Sequence, residues 1–449
     1  MKRSIKSLIS IMLVLVLALS LAGCGNAGSS NVIELRVLNY FSIANPGALE
    51  EVERVWDAFE AAHPNIKLIR EDEFEEPFHF ATEAHAAAGT LPDVIYCWPS
   101  GRSSALHTNR LLKDLAPLVA RDNFGANFNS TVLNPDAMGG GYLAMIPNGV
   151  TATHAFYVNL EVLESVGLEP AKTYSELVAQ VPILREAGYE TILMANEATW
   201  VMQSCLMSAI AGRFAGEGWE KAIHAGTAKF TDPDFVAAIE FIERMYVDGV
   251  LDRSTVAVDY GSSPGLFATN RAAYMIDGDW RVGDFITDAA TGQVLIDPVR
   301  QEKILITVFP EIDLPGVKYN ANNSVVLGTG WGLNANLEDG SDKLEAAWTL
   351  LKWLVGKEVL TFRVDSGGLP VPSRTDIDLA SLDLEPMQVA VANLGQHYNR
   401  SNVVIDAAFD GQVYTPLNDG LQALGLGTIT PMEVAQNVQN QFEAWKAAQ

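Results

Sequence analysis

The feature that most constrains this chain is an alternation of short apolar strands and amphipathic helices from Val32 to Tyr96. Val32–Leu38 reads as a strand, and Leu49, Val52, Val55, Trp56 and Phe59 recur at helical spacing up to Pro64. Ile66–Ile69 reads as a second strand, Phe80–Ala88 as a helix closed by Gly89, and Pro92–Tyr96 as a third strand. A β-α-β-α-β order predicts a mostly parallel sheet covered by helices, an α/β fold. Such sheets take ligands beyond the carboxyl ends of their strands, which points to the loops near Tyr40–Asn45, Glu71–Glu76 and Trp98–Arg102.

At 449 residues the chain is long enough for two domains. Further helices are predicted over 173–187, opened by Thr173 with Glu176 three residues on and perturbed by Pro182, and over 235–248, 344–355 and 431–446. A strand is expected at 192–195. Lys plus Arg is 30 against Asp plus Glu at 55, a net charge of −25, which excludes a phosphate-backbone partner such as nucleic acid.

Lys2, Arg3 and Lys6 precede an apolar run from Leu8 to Ala22. At about 15 residues it is short of the ~20 that a membrane-spanning helix needs, so an export signal is expected over residues 1–23. Leu21-Ala22-Gly23-Cys24 resembles the lipobox of bacterial lipoproteins, whose cysteine carries diacylglycerol. The resemblance implies cleavage before Cys24, lipidation of Cys24, a flexible tether over 24–31 and an extracytoplasmic body anchored to the cell membrane.

Four ordered segments carry a further resemblance: 86–94 with 111–115, 147–159, 267–280, and 330–333 with 346–353 and 367–372. Together they resemble the family-1 extracellular solute-binding proteins of ABC importers. That resemblance implies a two-lobed periplasmic-binding-protein fold of type II, with a cleft between the lobes and three interlobe crossings, near 148–153, 304–309 and 359–364. The lobes would comprise 32–150 with 308–360, and 151–307 with 361–449. It also implies a monomer that captures a solute by hinge closure and delivers it to the transmembrane subunits of a permease, with no catalysis, cofactor or metal.

Nine tryptophans are present. Trp56, Trp219, Trp348, Trp353 and Trp445 fall on helical patterns and read as core, whereas Trp98, Trp200, Trp280 and Trp331 stand in loop-like settings beside polar residues. Pyranose rings present an apolar C–H face to indole and hydroxyls to carboxylates and amides, so these four predict a neutral sugar or oligosaccharide as ligand. By the family resemblance Trp280 ranks first and Trp331 second. The acidic run Glu71–Glu76 reads as a solvated loop; as a cleft rim, Glu75 and Glu76 would accept sugar hydroxyls or attract a cationic solute such as a polyamine. Asp279, Arg102, Asn148, Asp259 and Arg374 complete the candidate ligand-binding residues.

Three enzyme-like patterns are present. Gly261-Ser262-Ser263-Pro264-Gly265 matches a nucleophile elbow, but Pro264 lacks the N–H that its oxyanion hole needs. His79, Glu83 and His85 lack metal-ligand spacing and read as a solvated helix. A secreted glycoside hydrolase using paired carboxylates is the alternative of a different class, since its diagnostic is a distance in space. Cys97 and Cys205 are expected to be buried free thiols.

Overall fold

The computed structural model describes residues 32–45, 47–288, 291–320, 324–394 and 403–448. The export signal, Cys24 and the tether lie outside the described residues. Among the described residues, twelve strands follow in chain order: β1 (Ile33–Tyr40), β2 (Ile66–Glu73), β3 (Val94–Cys97), β4 (Met145–Pro147), β5 (Gly149–Ala152), β6 (Ala155–Asn159), β7 (Glu190–Leu193), β8 (Ala272–Asp277), β9 (Ile304–Thr307), β10 (Val325–Leu327), β11 (Gly330–Leu333) and β12 (Val371–Pro372).

They form three sheets. The first has the order β2-β1-β3-β11-β4, with β1 parallel to β2 and β3, and β11 inserted antiparallel between β3 and β4. The second has the order β7-β8-β6-β9. Between them lies a small sheet, β10-β5-β12, whose pairings are all antiparallel.

Two lobes follow from the cores. Leu35, Val37, Trp56, Phe59, Val94, Trp331, Trp348 and Phe362 belong to one apolar cluster around the first sheet. The second sheet carries a cluster on each face, one including Phe156, Phe235, Ile239, Phe309, Leu421 and Phe442, the other Tyr157, Phe267, Phe285 and Met387. The resulting mixed α/β architecture has its cleft between the lobes and its three passages at β5, β10 and β12.

Two passages therefore fall elsewhere than expected. Residues 304–307 are β9, paired along β6 inside the second sheet, and 359–364 lie in a helix, Lys357–Asp365, packed into the first core. Phe309 and Ile312 pack in the second lobe and Leu369 and Ile377 in the first. Helical amphipathicity signals burial without saying which lobe provides the partner face.

Local chemistry explains several elements. Helix Tyr174–Glu186 starts where the Thr173 hydroxyl accepts the Glu176 N–H at 3.2 Å, a cap worth about 1 kcal/mol. It runs through Pro182. Helices Pro233–Val247, Asp342–Leu354 and Pro431–Ala448 lie within two residues of their predicted bounds, because each has a clear apolar stripe. No described helix is long and apolar enough to cross a membrane.

Strand β2 is longer than its apolar part. It pairs with β1 from Ile33 opposite Ile66 to Tyr40 opposite Glu73, so Glu71, Asp72 and Glu73 are strand residues. Their carboxylates find partners: Glu71 bonds His85 at 3.0 Å and Asp72 accepts the Asn39 amide at 2.9 Å. The acidic run is thus an edge strand leading into a turn, and only its last residues reach the cleft.

Candidate functional site

A cavity of about 450 Å³ lies between the lobes, at the carboxyl ends of β1, β2 and β3 and beside the small connecting sheet. One wall comes from the first lobe. Tyr40 stacks on Tyr96 with centroids 5.7 Å apart and meets Trp98 edge-on at 5.3 Å and Phe74 at 4.8 Å. These rings gather because Tyr40, Tyr96 and Trp98 sit at or just past the ends of adjacent parallel strands.

The other wall belongs to the second lobe. Trp200 lies 5.1 Å from Tyr260 and 6.1 Å from Trp280, and Trp280 Nε1 donates to the Tyr260 hydroxyl at 2.8 Å. Arg281 holds Tyr260 from behind, its guanidinium carbon 3.8 Å from the ring centroid. The same guanidinium is paired with Asp277 at 2.8 Å and Asp284 at 2.8 Å, and both Arg281 and Asp277 are buried. Each lobe therefore offers a preformed aromatic platform to one cavity.

Polar groups lie around these rings. Arg102, in the turn after β3, reaches the second lobe: its Nε donates to Asp406 Oδ2 at 2.9 Å, while Nη1 bonds Glu76 at 3.1 Å. Its guanidinium also lies over Trp200 and Tyr414, at 5.7 and 5.5 Å. Burial opposes the arginine's charge, but Asp406, Tyr414 and Glu76 together outweigh that and raise its pKa further. The Ser104 hydroxyl donates to Asp410, a second link between the lobes. Gly101 packs directly on the Asp406 backbone, where an added Cβ would lie 1.5 Å from the carbonyl oxygen. Arg363, at the back of the cleft, is held by Glu51 at 3.1 Å and Asn148 at 3.2 Å.

Asp279 is buried at the foot of the second wall. It accepts the Thr151 hydroxyl and the Ala152 N–H, both at 2.6 Å, and so fastens the second lobe to connecting strand β5. Burial pushes its carboxyl up to about 6. His79 lines the first wall 4.8 Å from Trp98; burial and Arg102 hold it down at about 3, so its imidazole is neutral. The solvated-helix expectation thus fails for His79, because its helix, Glu76–Ala88, turns Phe78, His79 and Thr82 inward.

Glu75 differs from the other cleft carboxylates. Its backbone has φ 56° and ψ −140°, a conformation suited to glycine that costs another residue about 1–3 kcal/mol. Its half-buried carboxylate has no hydrogen-bond or ion-pair partner among the described residues. Burial, followed by the charge of Asp259, raises its pKa, and Arg281 works in the opposite direction.

The structure thus gathers Trp98, Trp200, Trp280, Asp279, Glu75, Glu76, Arg102 and Asn148 around one cavity and leaves three candidates outside it. Trp331 is fully buried in β11, edge-on to Trp56 and Tyr96. Its flanking glycines mark a tightly packed strand: a Cβ at Gly330 would lie 2.1 Å from the Ile146 carbonyl oxygen. Arg374 pairs with Asp376 and lies over Phe128. Asp259 accepts the Ser262 N–H at 2.8 Å and acts on the site only through its charge.

Tyr96, Tyr260, His79, Arg363 and Asp406 line the cavity without any ligand-binding expectation from the sequence, whereas Tyr40 and Phe74 fall in loops expected to meet ligand but are not among the candidates. A signal existed for Tyr96, which ends a predicted strand, and for Tyr40, which opens the loop after one; none existed for Asp406, whose partner is remote in sequence. Cys97 and Cys205 are buried free thiols. Ser263, in the elbow-like pattern, donates to the Tyr260 carbonyl inside the short helix Ser263–Ala268. Among the described residues, no group of three or more His, Cys, Asp or Glu is placed to hold a metal ion.

Two α/β lobes joined by three strands around an aromatic-walled cleft define a solute-binding protein. The bacterial extracellular solute-binding protein family matches residues 55–387, and the chain belongs to that family. No curated protein sequence matches it. Among solved structures, it is similar to one from work on xylan utilization by the thermophilic bacterium Caldanaerobius polysaccharolyticus, with a TM-score of 0.79 and 20% identity over 91% of this chain and 100% of that one. It is also similar to a chitin oligosaccharide binding protein, TM-score 0.79 and 18% identity over 93% and 100% of the two chains. A third is maltose-bound T. maritima MalE3, TM-score 0.71 and 17% identity over 92% and 100%.

Proposed function

We propose that this protein is the extracytoplasmic receptor of an ABC importer for a neutral sugar or oligosaccharide, held at the membrane by lipid on Cys24 and working as a monomer. The observation that carries the reading is the pair of aromatic platforms, one per lobe, lining one cavity with carboxylates, amides and two arginines. A pyranose presents its C–H face to rings such as Trp98 and Trp280, and its hydroxyls find donors and acceptors between them. The names of the similar structures, which concern xylan, chitin oligosaccharide and maltose, support the same class.

Both arginines are neutralised by carboxylates, so neither stands free to capture an anion. Closure brings the two platforms onto the ligand without making or breaking a covalent bond, and the closed form is the shape a permease would read.

The test is a thermal-shift screen of the protein lacking residues 1–24 against xylo-, chito- and malto-oligosaccharides, with polyamines as controls, followed by recovery of the ligand. A shift with an intact saccharide is expected. Trp280→Ala should then weaken that binding by about 2 kcal/mol, roughly 30-fold. A shift with polyamines alone, or a cleaved saccharide, would overturn the reading.

A further inference from the structure

We propose that Glu75 is the specificity-determining acceptor of the cleft, taking a pair of O–H or N–H donors from the ligand once the lobes close. This rests on the sugar-receptor reading and deepens it by assigning the polar end of the ligand to one residue.

Three observations converge. First, the remaining cleft carboxylates are committed: Glu51 to Arg363, Glu76 and Asp406 to Arg102, and Asp279 to Thr151 and Ala152. Glu75 lines the cavity with its carboxylate uncommitted. Second, its backbone occupies a glycine-like conformation at the start of helix Glu76–Ala88, where a glycine would relieve the strain. A strained residue carrying a charged, unpaired side chain has no evident role in packing. Third, Glu75 lies between the two aromatic walls: Phe74 beside it contacts Tyr40, while Asp259, Glu197 and Arg281 of the second lobe act on its charge.

Closing a water-filled cleft around an unpaired carboxylate is unfavourable unless donors replace the lost water. A saccharide end with adjacent hydroxyls, or one with a protonated amino group, supplies them. The shared requirement is two convergent donors, and an anionic ligand end is rejected. Ligand donors favour the ionised carboxylate, so binding should lower the Glu75 pKa from its raised value in the free protein. Affinity should therefore rise with pH through the window between the two values and level off above it. The facing groups Glu76, Asp259, Glu197 and Arg281 are retained in a Glu75→Gln variant, so the slope that variant loses belongs to Glu75.

The experiment measures calorimetric affinities of wild type, Glu75→Gln and Glu75→Gly for xylotriose, maltotriose, N,N′-diacetylchitobiose and the deacetylated chitobiose across pH 4.5–8. Expected is a loss of roughly tenfold or more in Glu75→Gln for the saccharide that wild type binds, with a flattened pH profile. Glu75→Gly should bind as weakly while melting at a higher temperature, opposite changes that a purely structural residue does not give. Preference for the deacetylated dimer would assign the donors to an amine, and preference for a neutral saccharide to hydroxyls. Equal affinity and equal pH slope in wild type and Glu75→Gln would overturn the proposal and leave the sugar reading standing. A lower melting temperature in Glu75→Gln would make the residue structural and overturn it as well. If wild type binds none of the four saccharides, the sugar reading fails and this proposal with it.

Discussion

Replacing Arg281 with Met should destabilise the second lobe by about 3–5 kcal/mol at pH 7.5, the usual cost of leaving one partner of a buried ion pair uncompensated. The geometry supports the upper part of that range. Arg281 is 3% exposed and Asp277 1%, and the pair is closed by Nε and Nη2 at 2.8 Å from the same carboxylate oxygen. Among the described residues, the Asp277 carboxylate retains the Gly278 N–H, at 2.8 Å, as its hydrogen-bond donor once the guanidinium is gone. The cation lying over Tyr260 at 3.8 Å is lost too, a contact worth up to about 2 kcal/mol when desolvated. Burial already raises the Asp277 pKa and Arg281 restrains it, so in the variant the carboxyl takes up a proton more readily. The destabilisation should therefore be smaller at pH 5 than at pH 7.5. Urea denaturation followed by tryptophan fluorescence, which Trp280 and Trp200 should report, measures the loss. Asp277→Asn combined with Arg281→Met should recover much of it, because no buried charge is then left alone. A single-variant cost below about 1 kcal/mol, or a double variant less stable than the single one, would refute the reasoning.

Two further outcomes are expected. Gly101→Ala should hold the lobes apart at the Asp406 contact, enlarging the radius of gyration in small-angle scattering; an unchanged radius would show that the lobes do not approach there in solution. Asp279, raised to about 6 from 3.8, binds more protons folded than unfolded between those values, so its contribution to stability falls as pH rises from about 4 to about 6, by at most about 3 kcal/mol. The stability difference between wild type and Asp279→Asn should change across that window and be flat above it, and no change would dismiss the shift.

The class of fold was legible wherever periodicity was clean. The β-α-β-α-β start and helices such as Pro233–Val247 carry their apolar spacing in contiguous residues, which is what a pattern argument can read. Helix Gly411–Leu426 escaped it because Pro416, Gly420 and Gly425 interrupt the helical signal, while their neighbours Val413, Leu417, Leu421 and Leu424 fill the second core. Trp331 misled for the opposite reason: glycines on either side suggest a loop locally, and only the strands closing over them show that they admit a neighbouring backbone. In the site, the end-of-strand aromatics could be anticipated from topology. The ion pair between Arg102 and Asp406 could not, since it depends on two lobes meeting. The strain at Glu75 is likewise invisible until its backbone angles are known.

The insertion of β11 between β3 and β4 of the first sheet has a consequence for how the chain reaches its native state. β11 arrives late, with Gly330 opposite Cys97 and Trp331 opposite Tyr96, so the edge of β3 stays unpaired until the whole of the second sheet has been passed. Loop closure on that scale is slow relative to local helix formation. During that interval an aromatic strand edge is open to any other extended chain. The first lobe, although its sequence comes first, completes its core only after the second sheet has been supplied, and the second core in turn waits for the helices Gly411–Leu426 and Pro431–Ala448, so neither lobe is completed from one contiguous stretch of chain.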